Sequence, residues 1–213
     1  MRKLFLFLIV IISTNTYAFG EYDSQVTFSV AHLGFTTPDI MKAINVAMER
    51  YHWQTEEQTE NSVVGNLNGS GDAKVKAEIS GDTVTIRFLT QHDMQNYKYF
   101  KWLLNIKATM MVYLNDCKNK DLKSAETTDP AIVTRRNLVY AFYKYNWRLS
   151  ELGEHRIVAS LPARGRVEAD YTASGLDRIR RWDEIEGDYT DPAADGYVRR
   201  IKRLFERQQA LCK

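Results

Sequence analysis

The sequence has few of the residues that mark metal sites, flexible linkers or nucleophile motifs. Its 213 residues include two cysteines, four histidines, four prolines and eleven glycines. No two histidines are three or four positions apart, and zinc sites are built from ligand pairs at such short spacings. No Gly-x-Ser-x-Gly, Ser-x-x-Lys or phosphate-loop motif is present. We therefore predict no catalytic residues, no metal and no cofactor.

A strong net charge is also missing. The 29 basic side chains exceed the 27 acidic ones by two, and the excess disappears if Arg2 and Lys3 are left out. Proteins that bind nucleic acid usually have a basic face or a high isoelectric point. The near-neutral charge therefore predicts no nucleic-acid partner. The apolar fraction of 44% is ample for a packed core.

The one long apolar run is at the N-terminus. Arg2 and Lys3 precede the run Leu4–Ile12, and polar residues lead from it to Ala18. This order predicts a secretory signal peptide at 1–18, cleaved after Ala18. A membrane span needs about 20 apolar residues, so we expect none in the mature chain. No cysteine follows the run, and a bacterial lipoprotein needs one for attachment of its lipid. We therefore predict a periplasmic or secreted protein without a lipid anchor.

An internal repeat relates two parts of the mature chain at an offset of 94 residues. The matched residues in the first helix of each part are Ile44 and Leu138, Ala47 and Ala141, Met48 and Phe142, Tyr51 and Tyr145, and Trp53 and Trp147. Farther on, Lys74–Ile79 matches Arg166–Tyr171 after a shift of two residues. Matched residue types in matched order predict a duplication. We assign an N-terminal arm to 19–36, a first module to 37–120 and a second to 121–213.

Both modules have the pattern helix, three strands, helix. In the first, Thr37-Pro38-Asp39 opens a helix with apolar residues three and four apart. The other predicted elements of this module are strands at 63–67, 75–79 and 84–88 and a helix at 97–114. The second module is predicted to have a helix opened by Asp129-Pro130, strands at 157–161 and 166–171, a weakly patterned strand within 176–182, a loop at 183–196 and a helix at 197–211.

Alternation of apolar and polar residues in these strands predicts one buried sheet face. We therefore expect an α+β fold of two tandem α-β-β-β-α modules, each a small antiparallel sheet covered by helices. Val26, Phe28 and Val30 also alternate, which is typical of a further strand or an ordered arm. The helix at 97–114 is apolar nearly all round, which predicts burial as ordinary core, between the modules or against another chain. The oligomeric state is left open.

The only two cysteines, Cys117 and Cys212, each follow the closing helix of a module. Export places them in an oxidising compartment, and an even cysteine count favours pairing. An intramolecular disulfide between them is predicted. Two buried thiols or a bridge between chains are the alternatives.

Two sets of residues are candidates for binding. Trp53 and Trp147 end their helices, where they line equivalent ligand clefts or fill two small cores. The second module also carries arginines whose planar fork fits phosphate or carboxylate groups. These are Arg178, Arg180, Arg181, Arg199, Arg200 and Arg203. The alternative is a solvated face, balanced by nearby acidic residues at 183–188.

The tandem order of helix, Trp, strands and a closing helix that begins with Tyr resembles small secreted proteins and lipoproteins of Gram-negative bacteria. The resemblance implies a periplasmic location and no particular activity or site residue. We expect a non-enzymatic periplasmic protein that binds a ligand or acts as a scaffold, with an envelope protein or surface component as partner. The alternatives are an enzyme that acts on an envelope component, and an inhibitor or chaperone-like partner protein.

Overall fold

A computed structural model describes residues 25–67, 73–89, 97–119, 121–122, 129–161 and 165–212. The predicted signal peptide at 1–18 and its cleavage site lie outside these residues. Within them the chain forms two antiparallel five-stranded sheets and four helices. The α+β class with two sheet modules is therefore confirmed, but each sheet has five strands rather than the three predicted.

The first half contains β1 (Gln25–Ser29), α1 (Thr37–Arg50), β2 (Gln54–Gln58), β3 (Ser62–Leu67), β4 (Ala73–Ser80), β5 (Thr83–Phe88) and α2 (Tyr97–Asn115). The second half contains α3 (Pro130–Lys144), β6 (Arg148–Leu152), β7 (Arg156–Leu161), β8 (Gly165–Thr172), β9 (Gly175–Asp183), β10 (Asp188–Tyr189) and α4 (Gly196–Leu211). The strand orders are β1-β5-β4-β3-β2 and β10-β9-β8-β7-β6.

The strands that sequence patterning missed lie at sheet edges. β2 has the sequence QTEEQ and is exposed at every position, so it has no alternating apolar face to predict it. Backbone pairing with β3 holds β2 in place, with an irregularity between Thr55 and Glu57. β10 is a two-residue strand paired with β9, in a segment predicted to be a loop. β1 does alternate, and it pairs with β5, so the predicted arm contributes a strand to the first sheet.

Capping residues begin α1 and α3, but the cap of α1 is Thr36, one residue before the Thr37 with which the predicted helix opens. Thr36 and Asp39 form a capping box at the start of α1, where the Thr36 hydroxyl and the Asp39 carboxylate are 2.8 Å apart. At α3 the Asp129 carboxylate accepts from the Ala131 N–H at 2.9 Å. These side chains bind amide groups that have no partner within the helix. The predicted helix starts near 37 and 130 are therefore confirmed.

The four helices pack in sequence order, and this arrangement joins the two halves. α1 and α2 contact the first sheet, α3 and α4 contact the second, and α2 also packs against α3. One cluster of buried apolar side chains extends through both halves. Because α2 touches a sheet and two helices, it has little solvated surface, and this explains its apolar composition.

Two arginines of α3 hold the segment between β1 and α1. The Arg136 Nε donates to the Leu33 carbonyl at 2.7 Å, and the Arg136 guanidinium lies 4.1 Å from the centre of the Phe35 ring. Arg135 donates to the His32 carbonyl. Both arginines are buried. The second half therefore fixes part of the first through charged hydrogen bonds to backbone oxygens, which are stronger than neutral ones.

The predicted disulfide is confirmed. Cys117 and Cys212 are bonded, with their Cα atoms 5.6 Å apart and a sequence separation of 95 residues. Cys117 lies just after α2, and Cys212 is the C-cap of α4. The bond therefore closes a loop that contains all of α3, the second sheet and α4.

Candidate functional site

A cleft lies along α2 where the two halves meet. The ends of α1 and α3 form its other walls, and it has a volume of about 590 Å³, within the range of about 300 to 1,000 Å³ typical of ligand sites. A cavity of about 280 Å³ adjoins it. The two share Asn105, Ala108, Tyr143 and Asn146. We call the larger part the tyrosine lobe and the smaller part the lysine lobe.

One stripe of α2 forms the floor of both lobes. Its residues recur at helical spacing and are Lys101, Leu104, Asn105, Ala108, Thr109 and Val112. Apart from the exposed Lys101 they are half-buried, whereas Leu103, Ile106 and Met110 on a neighbouring stripe are fully buried in the core. Side chains three and four positions apart share a helix face. α2 thus has one face for packing and one that borders open space.

Four tyrosines give the larger lobe its name. They are Tyr51, Tyr113, Tyr140 and Tyr143. The hydroxyls of Tyr51, the C-cap of α1, and of Thr109 on α2 are 3.1 Å apart and form a hydrogen bond. Burial raises the pKa of Tyr143, although a hydrogen bond with the Leu149 backbone acts in the opposite direction. The lobe therefore presents aromatic rings with hydroxyl groups, which suit a ligand with both apolar and polar parts.

The turns after α1 and α3 have the same backbone geometry. His52 and Asn146 have positive φ angles of 63° and 62°, a conformation in which histidine and asparagine are enriched among residues other than glycine. The next N–H in each case, that of Trp53 or Trp147, donates at 3.0 Å to a carbonyl in the last turn of the helix. The chain therefore reverses after each helix and directs a tryptophan into the core.

Both predicted tryptophans are core residues. Trp53 is only 4% exposed, and its ring lies 5.9 Å from that of Trp102 and 6.5 Å from that of Phe88. Trp147 is 1% exposed, and its ring meets Tyr197 edge-on at 5.9 Å. Trp147 nevertheless contributes to the wall of the lysine lobe.

The lysine lobe contains a buried, unpaired lysine. Lys107 is 8% exposed, and its Nζ lies 4.8 Å from the centre of the Phe28 ring. Within the described part of the chain, no carboxylate or other acceptor forms a hydrogen bond or salt bridge with Lys107. Burial, with a smaller contribution from the charge of Arg148, lowers the pKa of Lys107 to about 8. Fully buried lysines are rare unless they are paired.

The cleft concentrates positive charge in a chain that is almost neutral. Its basic lining residues are Arg50, Lys118 and Lys144 in the tyrosine lobe and Lys101, Lys107 and Arg148 in the lysine lobe. Among the described lining residues, the single acidic one is Asp116, in the tyrosine lobe. An excess of cations in a concave site attracts anions, because low-dielectric walls focus the field.

The structure divides the predicted arginine patch into two sets. Arg178 on β9 contacts Asp170 at 2.5 Å, and Arg180 contacts Glu168 at 2.9 Å. Arg181 lies 2.7 Å from Asp195 at the start of α4. These three arginines therefore already have carboxylate partners, as the solvated-face alternative expects for arginines near acidic residues.

The other three arginines have no such partners. Arg199, Arg200 and Arg203 are exposed on α4, and none of them forms a salt bridge with any residue that the structure describes. The apolar face of α4, with Val198, Ile201 and Phe205, is buried. Of the six predicted arginines, these three are thus the ones without a carboxylate partner among the described residues.

The described residues contain no group of three or more histidine, cysteine, aspartate or glutamate side chains placed to hold a metal ion. Among the described helices, none combines the length and the apolar character that crossing a membrane requires. A search against models of protein families gave no match. A search of curated proteins gave no match either.

Sequence reasoning missed the cleft, although two signals were available. Lys107 is the one charged residue within the mostly apolar segment Leu103–Leu114. Tyr140 and Tyr143 flank the apolar pair Ala141 and Phe142 in α3. Neither signal identifies a cleft alone, because the approach of α1, α2 and α3 brings these residues together.

Proposed function

We propose that this chain is a non-enzymatic binding protein of the bacterial cell envelope, exported to the periplasm, and that it holds a small ligand in the cleft between its halves. The observation that carries the proposal is the cleft itself. It has a volume of about 590 Å³, four tyrosines and an adjoining cationic lobe. Sites of this size, with aromatic walls and a few polar groups, are typical of ligand-binding proteins.

The position of the cleft also supports a binding role. Its walls come from α1, α2 and α3, so the ligand would contact both halves. Binding sites commonly lie where two structural units meet. The disulfide between Cys117 and Cys212 and the Arg136 contacts with the β1–α1 segment hold these walls together. Such a preformed site loses less conformational entropy when a ligand binds.

We infer that the two halves arose by tandem duplication and that the signal peptide at 1–18 directs export. Ala77 pairs with Val63 and Ile86, and Ala169 pairs with Ile157 and Ile179. These equal registers support the sequence offset. The disulfide supports an oxidising compartment, because disulfides are rare in the cytosol.

The proposal is tested by ligand capture. The mature protein is incubated with envelope extract, purified, and released from its ligand by denaturation, and the released small molecules are identified by mass spectrometry. Ala108 lines both lobes, so Ala108→Trp is expected to fill the cleft and abolish capture. Ala210→Trp on the exposed side of α4 is the matched control and should capture normally.

Circular dichroism and thermal unfolding confirm that both variants are folded. Equal capture by Ala108→Trp and the wild type would contradict the proposal and favour a scaffold. Release of a chemically altered molecule, in amounts that increase with time, would instead indicate an enzyme.

A further inference from the structure

Among the described residues that line it, the lysine lobe combines three cations and no carboxylate. Its basic residues come from two elements: Lys101 and Lys107 from α2, and Arg148 from β6. None of them forms a salt bridge with any residue in the described part of the chain. The other lining groups are amide, aromatic and apolar side chains, among them Asn105, Asn146 and Trp147. The lobe is therefore uniformly positive.

The burial of Lys107 is unfavourable unless something compensates it. Only 8% of the residue is exposed to solvent. Removing a charge from water is costly, and in proteins such a charge is normally paired or hydrogen-bonded. The Phe28 ring, 4.8 Å from the Nζ, offers a cation–π contact that offsets only part of this cost. An anion in the lobe would supply the missing partner.

We propose that the lysine lobe binds the oxyanion group of the ligand, a phosphate or a carboxylate, between Lys107, Lys101 and Arg148. The rest of the ligand extends over the shared residues Ala108 and Tyr143 into the tyrosine lobe. This assignment rests on the proposed function and adds the ligand class to it: a small molecule with one anionic end and one ring-bearing or apolar end. Phosphate and carboxylate share the required chemistry, since both accept hydrogen bonds from ammonium and guanidinium groups.

The assignment is tested with inorganic phosphate and with acetate on the mature protein, because the natural ligand is unidentified. Sodium chloride at equal ionic strength is the reference. The lysine side-chain signals are followed by NMR, with Lys107 assigned from Lys107→Met. Phosphate or acetate should shift the Lys107 signal and raise its pKa above the value of about 8, because an anion stabilises the charged form. The more effective of the two anions identifies the oxyanion class.

The affinity of the lobe for an anion should decrease when Lys107 loses its proton. Acetate stays ionised above pH 6, so its affinity is expected to fall as the pH rises from 7 to 9 and Lys107 loses its proton. The groups that line the same lobe are Lys101, Arg148 and the neutral Tyr143. Lys107→Arg keeps a charge throughout this pH range and should remove the pH dependence. A wild-type affinity that is constant from pH 7 to 9 would contradict the role of Lys107.

Variants separate a binding role from a structural one. Lys107→Met should weaken anion binding by about tenfold or more and yet leave the unliganded protein at least as stable, because it removes a buried charge. Arg148→Gln, at the mouth of the lobe, provides a second variant in case Lys107→Met fails to fold. Lys202→Met, on the exposed side of α4, is the matched control and should bind normally.

The outcomes distinguish the two proposals. Equal NMR shifts in chloride, phosphate and acetate would overturn the oxyanion site. If Ala108→Trp loses the captured ligand while Lys107→Met and Arg148→Gln keep it, the cleft binds a ligand but the oxyanion assignment is wrong. If Ala108→Trp keeps the ligand, the proposed function itself is wrong, and the oxyanion assignment that rests on it is wrong as well.

Discussion

The two sheets have the same strand order, but one edge strand of each comes from a different part of the chain. In the first sheet the edge strand is β1, which precedes α1, whereas in the second it is β10, which follows β9. Both edge strands pair antiparallel with the last long strand of their sheet. A strand at this position is thus common to both halves, while the segment that supplies it differs. The sheet edge tolerates such exchange because it requires backbone pairing rather than a particular side-chain pattern.

The closing helices differ even more. α2 packs between the two halves and contributes a stripe to the cleft, while α4 packs on one side only and exposes its basic residues. The same place in the module therefore forms a wall of the cleft in one half and a solvated surface in the other. The neighbours of the helix, rather than its position in the module, decide which surface it forms.

The largest predicted difference between the halves concerns the disulfide, which encloses only the second. Cys117→Ser with Cys212→Ser should lower the free energy of unfolding by about 4 kcal/mol, because the unfolded chain regains the freedom of a 95-residue loop. Urea denaturation measures the loss. Hydrogen exchange should increase more in α4 and β9 than in β3 and β4. An equal increase in both sheets would show that the bond does not distinguish the halves.

The next prediction concerns Lys107, whose pKa is lowered to about 8. The unfolded chain then binds more protons than the folded one between pH 8 and about 10.4, so stability rises with pH through that window. The wild type should gain up to about 3 kcal/mol between pH 7 and the upper end of the window. Chemical denaturation at pH 7 and 9.5 tests this rise. Lys107→Met is the control and should lack it.

A third comparison uses two glutamates on the outer faces of the sheets. Glu168 on β8 has a side chain only 3% exposed and contacts Arg156, Arg166 and Arg180 at 3.2, 2.9 and 2.9 Å. The side chain of Glu78 on β4 is 44% exposed. It contacts two basic side chains, Lys76 at 3.1 Å and Arg87 at 3.9 Å. We expect Glu168→Gln to cost about 2 kcal/mol, after allowance for the partly exposed arginines. Glu78→Gln should cost less than about 0.5 kcal/mol.

The effect of Glu168 should also depend on pH. Burial alone raises the pKa of its carboxyl group, but hydrogen bonds from Arg180 and Tyr189, together with the charges of Arg156 and Arg166, outweigh burial and hold the pKa below its usual range. A lowered pKa stabilises the folded state above the unfolded value of about 4.3, and this contribution is lost as the pH falls through the folded pKa. The difference between wild type and Glu168→Gln should therefore shrink below pH 4. A difference that is constant from pH 7 to 3 would contradict this explanation.

The smallest predicted effect on stability comes from the exposed arginines of α4. The triple variant Arg199→Ala, Arg200→Ala, Arg203→Ala should unfold within about 0.5 kcal/mol of the wild type, because the three side chains have no salt bridges within the described part of the chain. If an acidic or phosphate-bearing partner binds through these residues, the triple variant should bind it less tightly and with a flatter salt dependence. Unchanged binding would leave the arginine face without a role.

Local signals were sufficient to predict much of the fold. Capping residues such as Asp129 located the helix starts, and alternation located β4 and β5, with a two-residue turn at Gly81 where φ is 56°. β2 was missed because it is exposed at every position, β6 because none of its residues is fully buried, and β10 because two residues cannot show alternation. The disulfide was predictable since only two cysteines were present, whereas the cleft was not predictable from any one segment.

The amino-acid sequence by itself determined the two α+β halves, the helix boundaries and the pairing of the cysteines, because these depend on neighbours along the chain or on an exclusive pair. Only the tertiary structure decided that Trp53 and Trp147 fill cores and that three of the six predicted arginines already have partners. It also decided that Lys107 lies buried beside a cavity. Burial and the arrangement of charges depend on which surfaces meet, and that is set by the packing of α2 against α1 and α3 rather than by any local pattern.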